Sequence, residues 1–437
     1  MQACTSPRFP KKKLILTDAV HKTAVSTFND RNSLLLPAAF RFVRQCRLGV
    51  EEGKALSIYV HIPICAHKCY YCDFYSRPVD SQARVDYLKA VCAEIENSRW
   101  IGSPARSLYI GGGTPSLLTG DEIAHLVALL EEAFAFQPDA EWTVECNPGT
   151  VSPACCDRLV ELGFDRISLG VQSFSESQLR RLGRLHSAQQ SLCSFRWFRE
   201  AGCENINLDL IFGLPDQTLE EWRRDLEQAL ELAPEHLSLY GLTIEAGTPF
   251  GHLQQIGALR QPPEELTAAM YELCMDLATA AGYEQYEISN YAFPGYECRH
   301  NLAYWRNEPY LGFGISAASY IDGVRWTNTL DWDSYLRRAP QGDVPRSSEE
   351  RLPPNLAMAE EMMLRLRTRE GVSPKELSQK YGIRFESCFG ESLMFLRKEG
   401  LISLRNGRLT LTRRGKLLAD EVCSEFLHAA REQVPLD

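Results

Sequence analysis

From Leu56 to about Ala281 the chain alternates between two kinds of segment. Short runs rich in β-branched and aromatic residues (LSIYVHIP, RSLYIGGG, EWTVECNP, RISLGVQS, NINLDLIFG and HLSLYGLT) predict six strands. Longer segments between them, such as DEIAHLVALLEEAF and LEEWRRDLEQALELA, carry helical apolar spacing. Strand and helix in alternation give a parallel sheet with helices outside it, either an α/β barrel or a doubly wound sheet. The polar oddities discriminate. The cysteines near residue 70, the GGGTP turn, Glu145, Gln172 and Asp209 all fall at or just after a strand's C-terminal end. A doubly wound sheet would gather them at one crevice, whereas a barrel spreads them around its rim. A partial or full barrel is expected.

Past QPPEELTAAMYELCMDLATAAG the alternation loosens into YEISNYAFPGYECRHNLAYWRNEPYLGFGISAASY, rich in aromatics and glycine. The polar stretch RRAPQGDVPRSSEERLPP then reads as a linker. Beyond it, SPKELSQKYG and ESLMFLRKEG read as helices, and LISLRNGRLTLT as a hairpin turning at Asn406-Gly407. Helices followed by a small β-wing suggest a winged-helix-like domain, whose nearly balanced charges favour packing over DNA binding. The first fifty residues differ: PKKK at Pro10 to Lys13, Arg41, Arg44 and Arg47 come with few acids. They can be an organellar transit peptide, a floppy basic arm, or an extension without a role. The expected organisation is a basic extension over 1–54, disordered or a non-native start, and a barrel domain over 55–335. A linker over 336–355 and a small C-terminal domain over 356–437 complete it.

Composition narrows the class. A hydrophobic content of 44% and a charged content of 24% are those of a soluble globular chain. A formal net charge of −10 argues against a general electrostatic grip on nucleic acid or acidic membranes. No apolar run approaches the roughly 18 residues that cross a bilayer. Fifteen cysteines, an odd number, are mostly scattered singly, as at Cys92, Cys193, Cys274 and Cys423, rather than spaced as a secreted disulfide framework. A reducing compartment, the cytoplasm, is expected, with an organelle as the alternative if the extension is a transit peptide.

The densest chemistry is YVHIPICAHKCYYCDF, which sets Cys65, Cys69 and Cys72 at a Cys-x3-Cys-x2-Cys spacing. A structural zinc site closes with four ligands, so His61 or His67 would have to complete one here. An iron–sulfur cube also normally takes four thiolates, and three leave one iron open to a substrate or cofactor. Bare glycines in YIGGGTPS let a backbone approach a ligand, or simply make a tight turn. Glu145 ends the third strand, where a carboxylate can hold an ammonium or ribose hydroxyls. Gln172, Arg184 and Asp209 stand in LGVQSF, RLGRLH and NLDLIFGLP.

This cysteine spacing on the loop after the first strand of a βα barrel resembles the radical S-adenosylmethionine (SAM) superfamily. The resemblance implies one 4Fe–4S cluster on Cys65, Cys69 and Cys72, with the open iron chelated by exchangeable SAM. It implies SAM contacts from Tyr59, Tyr71, Gly112, Gly113, Thr114, Glu145, Gln172, Arg184 and Asp209. It also implies reductive cleavage of SAM to methionine and a 5′-deoxyadenosyl radical, with an electron donor for the cluster.

From about residue 55 to 430 the chain resembles the coproporphyrinogen III oxidase-like group, through YVHIPIC, GGGTPS, ECNPG, RISLGVQSF and NLDLIFGLP. That group contains oxygen-independent coproporphyrinogen III oxidases and heme chaperones. The oxidases resemble one another in a further cysteine two positions after the third; here Phe74 stands there, as in the chaperone (HemW) branch. RHNLAYW resembles that branch's heme motif, which implies His300 as an iron ligand, Asn301 fixing its ring, and Tyr304 and Trp305 against the macrocycle. Alone, these four residues equally suit a loop held by its own packing. The expected fold is a partial (β/α) TIM-like radical SAM barrel followed by a small helical, winged-helix-like domain. The expected function is a 4Fe–4S- and SAM-dependent chaperone that carries heme to respiratory hemoproteins, possible recipients lying at the membrane surface, without nucleic acid and without a transmembrane segment. The rival is oxidative decarboxylation of coproporphyrinogen III to protoporphyrinogen IX; a radical SAM enzyme acting on something unrelated is a third. No catalytic residue is assigned.

Overall fold

A computed structural model describes residues 55–431. The expectations for residues 1–54, and for the last six residues of the C-terminal domain, lie outside the described residues. The six predicted strands are β1 (Leu56–Ile62), β2 (Pro104–Gly112), β3 (Ala135–Cys146), β4 (Arg166–Gln172), β5 (Ile206–Phe212) and β6 (His236–Gly241). They pair in parallel and in chain order, each beside its successor. A doubly wound sheet needs a point where that order reverses, and there is none between β1 and β6, so the winding is that of a barrel. Helices Ser81–Glu96, Gly120–Ala133, Ala188–Glu200 and Leu219–Glu231 lie among the connections. Three of the helix starts are written locally: Thr119 with Glu122, Ser187 with Gln190, and Thr218 with Glu221 form reciprocal capping boxes.

The barrel is partial. The aromatic stretch and its flanks supply β7 (Glu284–Gln285), β8 (Asn290–Ala292), β9 (Tyr310–Phe313), β10 (Ala318–Ile321) and β11 (Val324–Asn328). β8 runs antiparallel to β6, and β9 runs parallel to β1 on its other side. The sheet ends at β7 on one edge and at β12 (Arg346–Glu350) on the other, leaving it open. β12 corrects the expected linker. Residues 336–355 hold the end of helix Trp332–Arg338, a short 3-10 turn and a strand paired with β11. The exposed β12, RSSEE, reads as polar coil because an edge strand with no buried face carries no apolar alternation.

Alternation along the strands divides the interior. Ile58, Val60, Leu108, Ile110, Val144, Ile167, Leu169, Leu208, Leu237 and Leu239 belong to the apolar core packed by the helices. The intervening positions, including Ser107, Tyr109, Glu141, Glu145, Arg166, Ser168, Asn207, Asp209, His236 and Ser238, face the opposite side, where Tyr109 bonds Glu145, Ser168 bonds Asp209, and Asn207 bonds Ser168, His236 and Ser238 across strands. The barrel lumen is therefore polar.

A second core, built on Met358, Met362, Leu377, Phe385, Phe389, Leu409 and Phe426, gathers helices Pro354–Leu366, Pro374–Tyr381, Phe385–Lys398 and Ala419–Arg431. Its hairpin pairs β13 (Ile402–Arg405) with β14 (Arg408–Leu411). Asn406 and Gly407 turn it with φ of 51° and 76°, the left-handed pair that a two-residue hairpin loop favours. Among the described residues no helix is long and apolar enough to cross a membrane.

Candidate functional site

The cysteine loop leaves the C-terminal end of β1 and is tied down on three sides. Cys65 N–H donates to Arg77 O at 3.1 Å, Tyr70 N–H to Leu182 O at 3.0 Å, and Phe250 N–H to Tyr70 O at 3.0 Å. The glycine turn after β2 lies against its start: Gly113 N–H donates to Ile62 O at 2.8 Å and Thr114 N–H to Ile64 O at 2.7 Å. Only glycine fits here. A Cβ on Gly113 would stand 2.7 Å from Ile64 O, and one on Gly112, where φ is 111°, would stand 2.4 Å from the His61 ring.

A cavity of about 510 Å³ opens above this turn. Cys65, Cys69, Cys72, Tyr71, Gly112, Gly113, Thr114, Glu145, Gln172, Arg184 and Asp209 all line it. Residues from five strand ends and the intervening loops therefore converge, as the barrel reading predicts. Two donors reach the sulfurs: Thr114 Oγ1–H to Cys65 Sγ and Arg184 Nη1–H to Cys69 Sγ, both at 3.6 Å. Arg184 follows Gly183, the left-handed cap of helix Glu176–Leu182, and its Nη2 donates to Gly170 O at 2.7 Å. Its Nε has no hydrogen-bond partner among the described residues. Burial disfavours its charge, but Tyr71 and Cys69 beside it raise its pKa on balance. Gln172 sits at a β-bulge with a left-handed φ of 67°, a strained backbone that turns its side chain to the cavity.

Two carboxylates face the same space. Glu145 accepts from Gly112 N–H and from the Tyr109 hydroxyl, both at 2.9 Å. Burial pushes its carboxyl up to about 7, against those two bonds. Asp209 accepts from Ser168 Oγ at 2.9 Å and Asn207 Nδ2 at 2.8 Å, and burial raises it as well. Burial outweighs the nearby Arg166 charge at both acids, and a positively charged ligand in the cavity would stabilise their ionised forms.

The donor set fits an open-sided cluster. Three thiols from one loop line the cavity, donors reach two of them, and Glu145 and Asp209 line the same space. His61 leaves the zinc alternative: its Nδ1 bonds the Tyr59 hydroxyl at 2.9 Å and its Nε2 bonds Tyr75 O at 2.8 Å. Burial lowers its pKa to about 4, so it stays neutral. Tyr59, expected at the cofactor, is occupied by that bond and lies outside the lining, one layer below the rim. Phe74 stands at the cavity mouth, 70% exposed.

The RHNLAYW residues are not in this cavity. They form helix Arg299–Trp305, which closes the other end of the lumen. His300 is 1% exposed; Nδ1 bonds Ser107 Oγ at 2.9 Å and Nε2 bonds the Tyr304 hydroxyl at 2.8 Å. Burial, helped by the nearby Arg166 charge, lowers its pKa to about 3. Glu141 anchors the helix start, accepting from Arg299 N–H and His300 N–H at 3.0 Å each. Asn301 N–H donates to Sγ of Cys298, the residue that caps the helix, and Trp305 lies under the Arg367 guanidinium. Iron ligation by His300 thus requires one of its two ring nitrogens to be released. Sequence reasoning missed Tyr109, Glu141, Arg166, Ser168 and Asn207; their signal was the polar residue at every second position of an otherwise apolar strand.

The radical SAM superfamily profile matches residues 59–229, and the HemN C-terminal domain profile matches residues 352–418. The heme chaperone HemW of Bacillus subtilis is 40% identical over 85% of this chain and 99% of its own. HemW of Escherichia coli is 44% identical over 63% of this chain and 74% of its own. Among solved structures, the radical SAM enzyme coproporphyrinogen III oxidase (HemN) of Escherichia coli superposes with a TM-score of 0.75 at 27% identity, over 85% of this chain and 90% of that one. With the cysteine loop, the glycine turn and the two carboxylates gathered at one barrel rim, and with relatives matched over nearly their full length, the chain belongs to the HemW family of radical SAM proteins.

Proposed function

We infer that this chain is a cytoplasmic heme chaperone dependent on a 4Fe–4S cluster and SAM, delivering heme to respiratory hemoproteins. The observation that carries it is the identity to full-length relatives named heme chaperones, together with the intact His300-Asn301-x-x-Tyr304-Trp305 sequence. Membership of the superfamily implies the cluster and SAM. When bound, they supply one-electron chemistry at a sulfonium.

The placement of this chain's residues supports the following roles. Cys65, Cys69 and Cys72 hold the cluster, and Thr114 and Arg184 draw charge from two of the sulfurs. Gly112, Gly113 and Thr114 give the ligand a backbone edge. Glu145 and Asp209, deprotonated on pairing, hold the cationic and hydroxyl groups of SAM. Gln172 and Tyr71 close the sides. His300 would ligate heme once a ring nitrogen is released from Ser107 or Tyr304, with Asn301 fixing its ring in the bound state and Tyr304 and Trp305 against the macrocycle, and an external reductant would serve the cluster.

Oxidative decarboxylation of coproporphyrinogen III is the second reading, favoured by the superposition on HemN. One experiment separates the two. Wild type and His300→Ala are titrated with hemin, while reconstituted wild type is incubated anaerobically with coproporphyrinogen III, SAM and reductant. The chaperone reading expects a stoichiometric Soret band lost in His300→Ala, and no vinyl product. Heme uptake indifferent to His300, together with protoporphyrinogen formation, overturns it.

A further inference from the structure

Tyr109 touches both ends of the lumen. Its hydroxyl donates to Glu145 Oε1 at 2.9 Å, and its ring lies 5.1 Å from the His300 ring, centroid to centroid, at 34°. Two residues earlier on β2, facing the same way, Ser107 bonds His300 Nδ1. Tyr59 completes the packing, 6.1 Å from Tyr109 and 6.5 Å from His300. Arg166 spreads its charge over Glu145, Asp209 and His300 alike, but it is Tyr109 that contacts the carboxylate and the imidazole at once.

We propose that Tyr109 is a positioning residue that couples the cofactor end to the His300 helix, so that SAM at Glu145 and heme at His300 weaken each other. This rests on the assignment of those two ligands above. Both His300 nitrogens are engaged, so ligating iron takes the imidazole away from Ser107 or from Tyr304, and away from the ring of Tyr109. Packed interiors do not keep such a gap open. Neighbouring side chains shift into it, and Tyr109 is the one whose shift also draws a hydroxyl away from Glu145. With His300 seated, Glu145 is held by two donors; with His300 withdrawn, it keeps Gly112 N–H and loses its fixed orientation. A cation bound by Glu145 therefore favours the seated state, and the linkage is reciprocal.

The test uses the full chain with its cluster reconstituted. SAM affinity is measured by calorimetry with and without hemin in wild type, Tyr109→Phe and His300→Ala, with iron and sulfide content confirming the cluster in each. In wild type, hemin should weaken SAM by about fivefold or more. Tyr109→Phe keeps the ring behind His300 and removes the bond to Glu145. It should bind SAM about 5- to 10-fold more weakly, retain the Soret band, and respond little to hemin. His300→Ala should weaken SAM by about threefold without any hemin, because the ring that backs Tyr109 is gone. Equal hemin effects in wild type and Tyr109→Phe overturn the coupling, as does independent binding of both ligands to wild type. Unchanged SAM affinity in hemin-free His300→Ala overturns it wherever heme binds, whereas failure of the heme assignment alone would show as a Soret band indifferent to His300.

Discussion

Glu141 and Glu145 lie on one strand, four residues apart and facing the same lumen, yet they meet opposite fates. Glu141, at the floor, is enclosed by helix Arg299–Trp305 and accepts from Arg299 N–H, His300 N–H and the Cys298 thiol. Glu145, at the rim, is held by two donors and opens onto the cavity. At the floor Glu141 is satisfied by its own chain, although Nε of the buried Arg166 near it has no hydrogen-bond partner among the described residues. The rim is left incomplete in another way: Glu145 keeps two donors yet faces a cavity, with its carboxyl pushed up to about 7. Incompleteness is what marks a ligand site, because buried polar groups are otherwise paired.

The largest expected effect lies at the rim and leaves the floor untouched. Cys69→Ala should abolish stoichiometric cluster incorporation, read as lost iron, sulfide and brown absorbance, while Cys423→Ala, in the second core region, should keep all three. A Cys69→Ala protein with a full cluster would remove the loop from the site.

At the floor, Glu141→Ala takes the acceptor from three buried donors and the negative charge from beside the buried Arg166. It should cost roughly 3–5 kcal/mol in urea unfolding. A cost near zero would mean that helix Arg299–Trp305 is not held there.

Glu145→Ala should behave in the opposite sense, sparing the cluster but losing about 1.5–3 kcal/mol of SAM binding, roughly 10- to 150-fold. The pH dependence has a definite sign. The folded Glu145 carboxyl titrates above its ordinary range, so burial favours its protonated form, and the ligand-free chain loses stability as pH rises toward 7. SAM, a cation, should gain affinity over that same rise, and a flat binding profile between pH 6 and about 8 would exclude Glu145 as its partner.

The smallest effect sharpens the contrast. Ser107→Ala removes one of two hydrogen bonds on His300 and should cost about 1 kcal/mol in thermal unfolding. Hemin capture should become easier, since a nitrogen is already free. Slower or weaker capture would argue against ligation through a released nitrogen.

Much of the rim was readable along the chain. Cys65, Cys69 and Cys72 are local to one loop, and their spacing does not depend on what folds around them. Glu145 and Gln172 could be placed because each ends or nearly ends a strand, and parallel strands bring their ends together, whereas Asp209 was read at a strand end and lies at the middle of β5. Tyr59 was read as a cofactor contact from its place before the cysteine loop, while its hydroxyl bond to His61 shows only in the fold. β12 was hidden because its pairing with β11, rather than any pattern of its own, makes it a strand.

Local order and spacing thus determined the strand succession, the capping boxes, the Asn406-Gly407 turn and the cysteine loop, all of which arise from contacts between residues near in sequence. Whether a polar residue is finished or left open was decided only in three dimensions. Ser107 meets His300 across 193 positions, and Glu141 meets the same residue across 159. No periodicity encodes such pairs, because they form only when a distant helix packs onto the lumen. That packing holds the floor, whereas among the described residues Glu145, Asp209 and the three thiols face a cavity.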